Sequence, residues 1–346
     1  MTKRFNLCLA LGACLASAQA EPRAVRTVAP LSVRGVNYYP RETPWGGMWT
    51  KTPAEVWERD MALAASLEVN TIRTFVSFSP SLEQAGLLQS DGTPTAPYLA
   101  RLDAMLAAAW RNGIRTILCF DFDPKTFAAP ESGDRWRRAL SAVVGAHRDD
   151  GRVLMWDLMN EPDDDAKWSG GTRAYLRDAQ AFLRGYDTNH VTTIGMTWRI
   201  DRIKEVGLPD VVQYHEYCPK SVLFEQGAAR VCRTVDRQRN AGGARPVLIG
   251  EFGMSTARDP VYGVEEALSG KAGEASGTEA EQERLYEIVL SAAEQARVLG
   301  VLAWCLYDYP IRNPNESHFG IVRSDGSLKP AAAVLRKTFV KWNNAR

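Results

Sequence analysis

With 346 residues, 45% of them hydrophobic and 24% charged, the chain has the composition of a folded globular protein and not of a disordered one. A formal net charge of +1 gives no electrostatic support for nucleic acid or an anionic membrane surface as partner. The length suits two ordinary domains or one α/β barrel.

Residues 1–20 read as a secretory leader. Lys3 and Arg4 supply the charged start, residues 5–15 the apolar run and Ala18-Gln19-Ala20 the small-residue cleavage site. That run is too short to span a bilayer, and no other stretch is long and apolar enough. The expectation is a soluble monomer exported to the periplasm or the medium, with 21–346 as one domain. Leu11-Gly12-Ala13-Cys14 leaves a lipoprotein anchored at Cys14 as the alternative. Beyond the leader remain Cys119, Cys218, Cys232 and Cys305. Export permits disulfides, and Cys218 with Cys232, flanking one short segment, is the expected pair. Cys119 and Cys305 sit in strand-like runs and read as small buried hydrophobes. None has zinc-type spacing with histidine.

In chain order, strand signals fall at 32–39, 70–76, 115–121, within 153–162, and at 191–196, 211–217, 246–253 and 301–307. Helix signals lie between them. Thr52-Pro53-Ala54-Glu55 reads as a capped start, 98–111 stops at Asn112-Gly113, and further helices are expected near 135–146, 173–186, 200–206 and 221–239. Leu285, Ile288, Val289, Ala292, Ala293 and Ala296 repeat on one helical face, and 330–342 closes the chain. A polar stretch at 255–277 reads as a long loop, with 261–268 able to form a short helix of its own. Strands alternating with helices imply parallel strands, and eight repeats imply closure. The expected fold class is therefore α/β, a single (β/α)8 TIM barrel. The alternative, an open doubly wound sheet, lacks its usual glycine-rich phosphate loop here.

Two of these strands end in chemistry. Met155-Trp156-Asp157-Leu158-Met159-Asn160-Glu161-Pro162 closes the fourth on an amide and a carboxylate, and Gly250-Glu251-Phe252-Gly253 closes the seventh on another carboxylate. Carboxyl-terminal strand ends are where barrels build their sites. Paired glutamates suit cleavage of a glycosidic bond, one protonating the leaving oxygen and the other attacking the sugar.

These motifs, with His215-x-Tyr217, resemble retaining β-glycosidases on (β/α)8 barrels, most closely glycoside hydrolase family 5, the cellulase and β-mannanase family. The likeness covers nearly all of 21–346, and the two glutamates stand 90 residues apart. The resemblance implies Glu161 as general acid/base, its pKa raised relative to the nucleophile's, and Glu251 as that nucleophile. It further implies that Asn160 holds a sugar hydroxyl, Tyr217 orients Glu251, His215 contacts the pair, Arg73 keeps Glu251 ionised and Trp304 is a sugar platform. No metal or organic cofactor is needed. The plainer readings are ion-pair residue for Arg73, core residues for His215 and Tyr217, and barrel packing for Trp304. Trp45, Trp49, Trp168 and Trp198 follow strand ends and could stack on sugars or merely pack. Asp163-Asp164-Asp165 reads as a solvated loop in preference to a calcium site. Family members commonly carry a histidine at the end of strand three. Phe120-Asp121-Phe122-Asp123 stands there instead, so Asp121 or Asp123 is the candidate for that sugar contact. The resemblance implies an oligo- or polysaccharide substrate, a β-1,4-linked glucan or mannan. An exo-acting β-glycosidase and a catalytically inert carbohydrate-binding barrel are the alternatives.

Overall fold

The computed structural model describes residues 29–127, 132–197, 199–262, 276–311 and 313–345. The leader expected over 1–20, with Cys14, lies outside them, as do Trp198 and most of the 261–268 segment. Among the described residues no helix is long and apolar enough to cross a membrane.

Eight parallel strands close into a barrel in sequence order: β1 (Val33–Asn37), β2 (Thr71–Ser77), β3 (Arg115–Asp121), β4 (Val153–Asn160), β5 (Val191–Met196), β6 (Val212–Glu216), β7 (Val247–Phe252) and β8 (Gly300–Ala303). Closure is made by β1 on β8, with Val33 opposite Gly300 and Val36 opposite Ala303. Helices cover the outer faces, so both sides of each strand are buried and the strands read as near-continuous apolar runs. Helix Glu279–Gln295 shows how the sequence achieves this. Thr278 and Glu281 form a reciprocal capping box, and Leu285, Val289 and Ala292 are buried on one side.

Inside the barrel, Val33, Ile117, Met155, Val211, Leu248, Leu299 and Leu302 form an apolar plug towards the amino-terminal ends. Each such side chain contributes roughly 1.5–3 kcal/mol through its burial. Nearer the carboxyl ends the interior turns polar: Asn37, Arg73, Asp157 and Gln213 are all fully buried. The fold thus carries its polar groups towards the end where barrel sites form.

Several local expectations are revised. The first long helix is Ala54–Ser66 with Pro53 at its N-cap and no side-chain cap, because the Thr52 hydroxyl is bonded to that of Thr43 instead. Strand β8 stops at Ala303, where the chain turns away to place Trp304. The helix near 221–239 extends over Lys220–Ala241 and breaks at Gly227, which takes φ 58°. Cys218 and Cys232 are not bonded to each other; all four described cysteines are free. The Cys232 thiol points instead at the Ala292 carbonyl, 3.7 Å away. Of the 255–277 loop, the described ends meet: Ser255 bridges Ser276, and Gly277 N–H donates to the Ser255 carbonyl at 2.7 Å.

Candidate active site

Two ladder irregularities prepare the site. In β4, Asp157 pairs with Thr193 but Asn160 with Gly195, so an extra residue enters just before Asn160-Glu161. In β7, Ile249 pairs with Tyr214 but Glu251 with His215, so Gly250 is the extra residue before the second glutamate. Such bulges re-aim the side chain that follows. Glu161 itself takes φ 48°, a left-handed conformation costly for a side chain and frequent at functional sites. Its amide is held by the Gly195 carbonyl at 2.6 Å.

Arg73 is the hub. It is fully buried and donates to Asp157 Oδ2 at 2.7 Å, Asn37 Oδ1 at 3.0 Å, Glu251 Oε1 at 2.8 Å and Asn160 Oδ1 at 2.8 Å. Burial works against its charge, but Cys119, Asp157 and Glu251 outweigh that and push its pKa up. Asp157 is fixed in turn by Gln213 Nε2 and the Gly195 amide, each at 3.0 Å. A Cβ at Gly195 would lie 2.9 Å from both Arg73 Nη2 and Gln213 Nε2, so glycine is what lets this network close. Asn37, Asp157 and Gln213 escaped the sequence reading. Their signal was a polar residue inside an otherwise apolar strand, which must find a buried partner.

Glu251 has both oxygens held, Oε1 by Arg73 and Oε2 by the Tyr217 hydroxyl at 3.0 Å. Tyr217 is 43% exposed although its hydroxyl is engaged. His215 Nδ1 sits 2.8 Å from Glu161 Oε1 and 3.6 Å from Glu251 Oε2. Both neighbours accept, so that nitrogen carries the proton. Oxygens of the two carboxyls and a His215 nitrogen lie within 4.8 Å of one another. Retaining enzymes hold their carboxyls closer, about 5–5.5 Å apart, than inverting ones at about 6.5–9.5 Å, and this pair brings its nearest oxygens within 4.8 Å. The same three residues could offer ligands to a cation, but the Arg73 guanidinium already supplies positive charge to Glu251.

The protonation bias differs from the expected one. Burial pushes Glu251 up, against His215 and Arg73, and the charge of Glu161 adds to the rise. Burial is the largest single influence on Glu161 and acts upwards, but the His215 hydrogen bond together with the positive charges of His215, Lys167 and Arg73 outweighs it and brings that carboxyl down. The imidazole, nearer Glu161 than Glu251, favours the ionised form of Glu161.

The remaining candidates separate. Trp304 is half-buried beside Phe75, ring centroids 6.2 Å apart and edge to face. Trp45 is 39% exposed and packs on Tyr39 and Tyr309. Trp49 is fully buried and donates to the Phe75 carbonyl, so it is core. Trp168 is half-buried, flanked by the guanidinium groups of Arg173 and Arg202. Asp121 ends β3 and is exposed. Asp123 instead accepts the Lys125 amide in the following turn. Lys167, also missed, donates to the Asn160 carbonyl at 3.2 Å. Asp163 is not solvated as expected: it is buried and accepts from the Thr197 amide and hydroxyl. Asp165 is exposed and pairs with Arg199 and Arg202.

A closed barrel with strand-end glutamates on β4 and β7 has the architecture of the barrel glycoside hydrolases. The chain matches the cellulase profile, glycosyl hydrolase family 5, over residues 28–308, and it belongs to that family. Mannan endo-1,4-beta-mannosidase 3 of Solanum lycopersicum is 36% identical over 203 residues, covering 49% of each chain. Mannan endo-1,4-beta-mannosidase 5 of the same plant is 25% identical, covering 49% of this chain and 47% of the relative. The chain thus spans about half the length of these relatives. Among solved structures, an exo-beta-1,4-mannosidase from Opitutaceae bacterium strain TAV5 superposes with TM-score 0.70 at 21% identity, over 92% of this chain and 60% of that one. A family 5 subfamily 18 protein from Streptomyces cattleya, in complex with GlcNAc, gives 0.72 at 17% identity, over 92% and 82%. These structural likenesses bear on the fold.

Proposed function

We propose that the protein is a retaining β-glycoside hydrolase acting on a β-1,4-linked mannan or glucan. The carrying observation is the carboxyl pair, whose oxygens lie within 4.8 Å, with both oxygens of Glu251 fixed by Arg73 and Tyr217. The β-1,4-mannosidase relatives support the substrate class.

In this reading Glu251 attacks the anomeric carbon while Glu161 gives its proton to the departing oxygen. The sugar is then bonded to Glu251, and Glu161, now a carboxylate, takes a proton from the water that releases it. Glu161 starts with its side chain 29% exposed and Glu251 with 6%. A bound sugar therefore removes more solvent from Glu161 than from Glu251 and raises its pKa more, which favours the proton on Glu161. Asn160 spends its oxygen on Arg73, leaving its NH2 for a sugar hydroxyl. The half-buried Trp304 is the platform for the ring.

The test is Glu251→Ala. Turnover should vanish, and added azide should restore it with a glycosyl azide of inverted configuration. A folded variant that no small anion rescues would remove Glu251 from the role.

A further inference from the structure

We propose that Cys119 is a positioning residue: its sulfur accepts the N–H of Arg73 that the carboxylates and amides leave over, and so fixes the guanidinium that holds Glu251. This rests on the hydrolase reading above. Strand register puts the thiol there. Ile117 on β3 pairs with Met155 on β4, and both belong to the apolar plug inside the barrel. Side chains alternate along a strand, so two residues further on Cys119 and its partner Asp157 also face inward, one layer nearer the catalytic end. Arg73 reaches that layer from β2, whose Phe75 pairs with Cys119.

A guanidinium has five N–H groups and no acceptor. Those of Arg73 are spent one for one. Nε serves Asp157, Nη1 serves Asn37 and Glu251, and one N–H of Nη2 serves Asn160. The other N–H of Nη2 meets Cys119 Sγ, with the nitrogen 3.4 Å from the sulfur. Arg73 and Cys119 are both fully buried, so bulk water does not compete for that donor. Sulfur is a weak acceptor, and here an uncharged one. Burial, with the charge of Asp157, pushes the thiol up, so it keeps its proton beside Arg73, Asp121 and Glu251. A carboxylate at this position would bring a third negative charge to Arg73 and draw it from Glu251. An apolar side chain would leave a buried N–H of a cation without a partner, which is costly, and would free the guanidinium to turn. The thiol satisfies the donor and leaves the charge of Arg73 to Asp157 and Glu251.

The experiment uses Cys119→Val, which keeps the bulk and removes the acceptor, and Cys119→Ser, which keeps an acceptor. On a β-1,4-linked manno- or gluco-oligosaccharide, kcat and kcat/KM of Cys119→Val should fall together by about tenfold or more, as when a catalytic group is slightly misplaced. Cys119→Ser should lie between wild type and Cys119→Val. Wild-type kcat in folded Cys119→Val, or a Cys119→Ser no better than it, would overturn the proposal and leave the thiol a packing residue. A pH profile gives a second readout. In Glu161→Gln protein Glu251 titrates alone, and a looser Arg73 stabilises its carboxylate less. Adding Cys119→Val should therefore move the acid limb of kcat/KM on an activated aryl glycoside to higher pH, and an unmoved limb would overturn the proposal. A third readout needs neither turnover nor a cysteine variant. The infrared difference between wild type and Arg73→Lys, both as residues 21–346, should show a shifted S–H stretching band; an unshifted band would overturn the contact itself. A wild type inactive on every β-glycoside would sink the hydrolase reading instead, and the infrared band would then decide the contact alone.

Discussion

Glu161 and Glu251 share one electrostatic environment, so they titrate as a pair. The active pair holds one proton. Below the acid limb Glu251 is protonated, and above the alkaline limb Glu161 has lost its proton. In Glu161→Gln protein Glu251 titrates alone, and because burial raises it the acid limb of kcat/KM should lie above the ordinary carboxylate range. On an activated aryl glycoside, Glu161→Gln should keep that limb and lose the alkaline one; an unchanged bell would contradict the assignment. At this scale the sequence exposed the residues that stand in motifs: Asn160, Glu161, His215, Tyr217 and Glu251. Their supports were hidden. Asp157 matters because Arg73 reaches it inside the barrel from 84 residues away in sequence, and Gln213 because it holds Asp157; no local pattern encodes either contact. The pKa order was misjudged for the same reason, since it depends on which glutamate His215 sits nearer.

Strands were legible because each is an apolar run between turn residues. Their ends were not, because backbone partners decide them, as where β8 gives way to Trp304. The bulges were equally hidden, being a property of paired strands. They make Gly195 a testable element. Gly195→Ala should displace Arg73 and lower kcat by about tenfold to a hundredfold with the circular dichroism spectrum retained, as small misplacements of catalytic groups do. Wild-type kcat would contradict the close approach. Strand β6 supplies a second case at Glu216. Its folded pKa of about 7 exceeds the usual 4.5, so the folded state holds the proton more tightly. No penalty exists below the unfolded pKa. It grows as pH rises from there towards 7, to roughly 3 kcal/mol once the group is ionised in both states. Glu216→Gln should therefore denature at higher urea than wild type at pH 8 and show little difference at pH 4. A gain independent of pH would contradict this.

For the whole molecule, alternation of strand and helix was enough to anticipate the barrel, because parallel strands need crossovers and eight of them close. Cysteine pairing was not readable that way. Cys218 lies in the loop after β6, while Cys232 lies within Lys220–Ala241 and faces the neighbouring helix. Thiol titration of denatured, unreduced residues 21–346 should find all four cysteines reactive, and a reducing agent should leave the melting temperature unchanged. Two reactive thiols would mean that the pair forms after all.

The central claim is that this barrel cleaves with retention, and the anomeric form of the first product reports it directly. Proton NMR during hydrolysis of an aryl β-glycoside should show the β-anomer appearing first and mutarotating afterwards, as a double displacement through Glu251 requires. Initial release of the α-anomer would contradict a double displacement through Glu251.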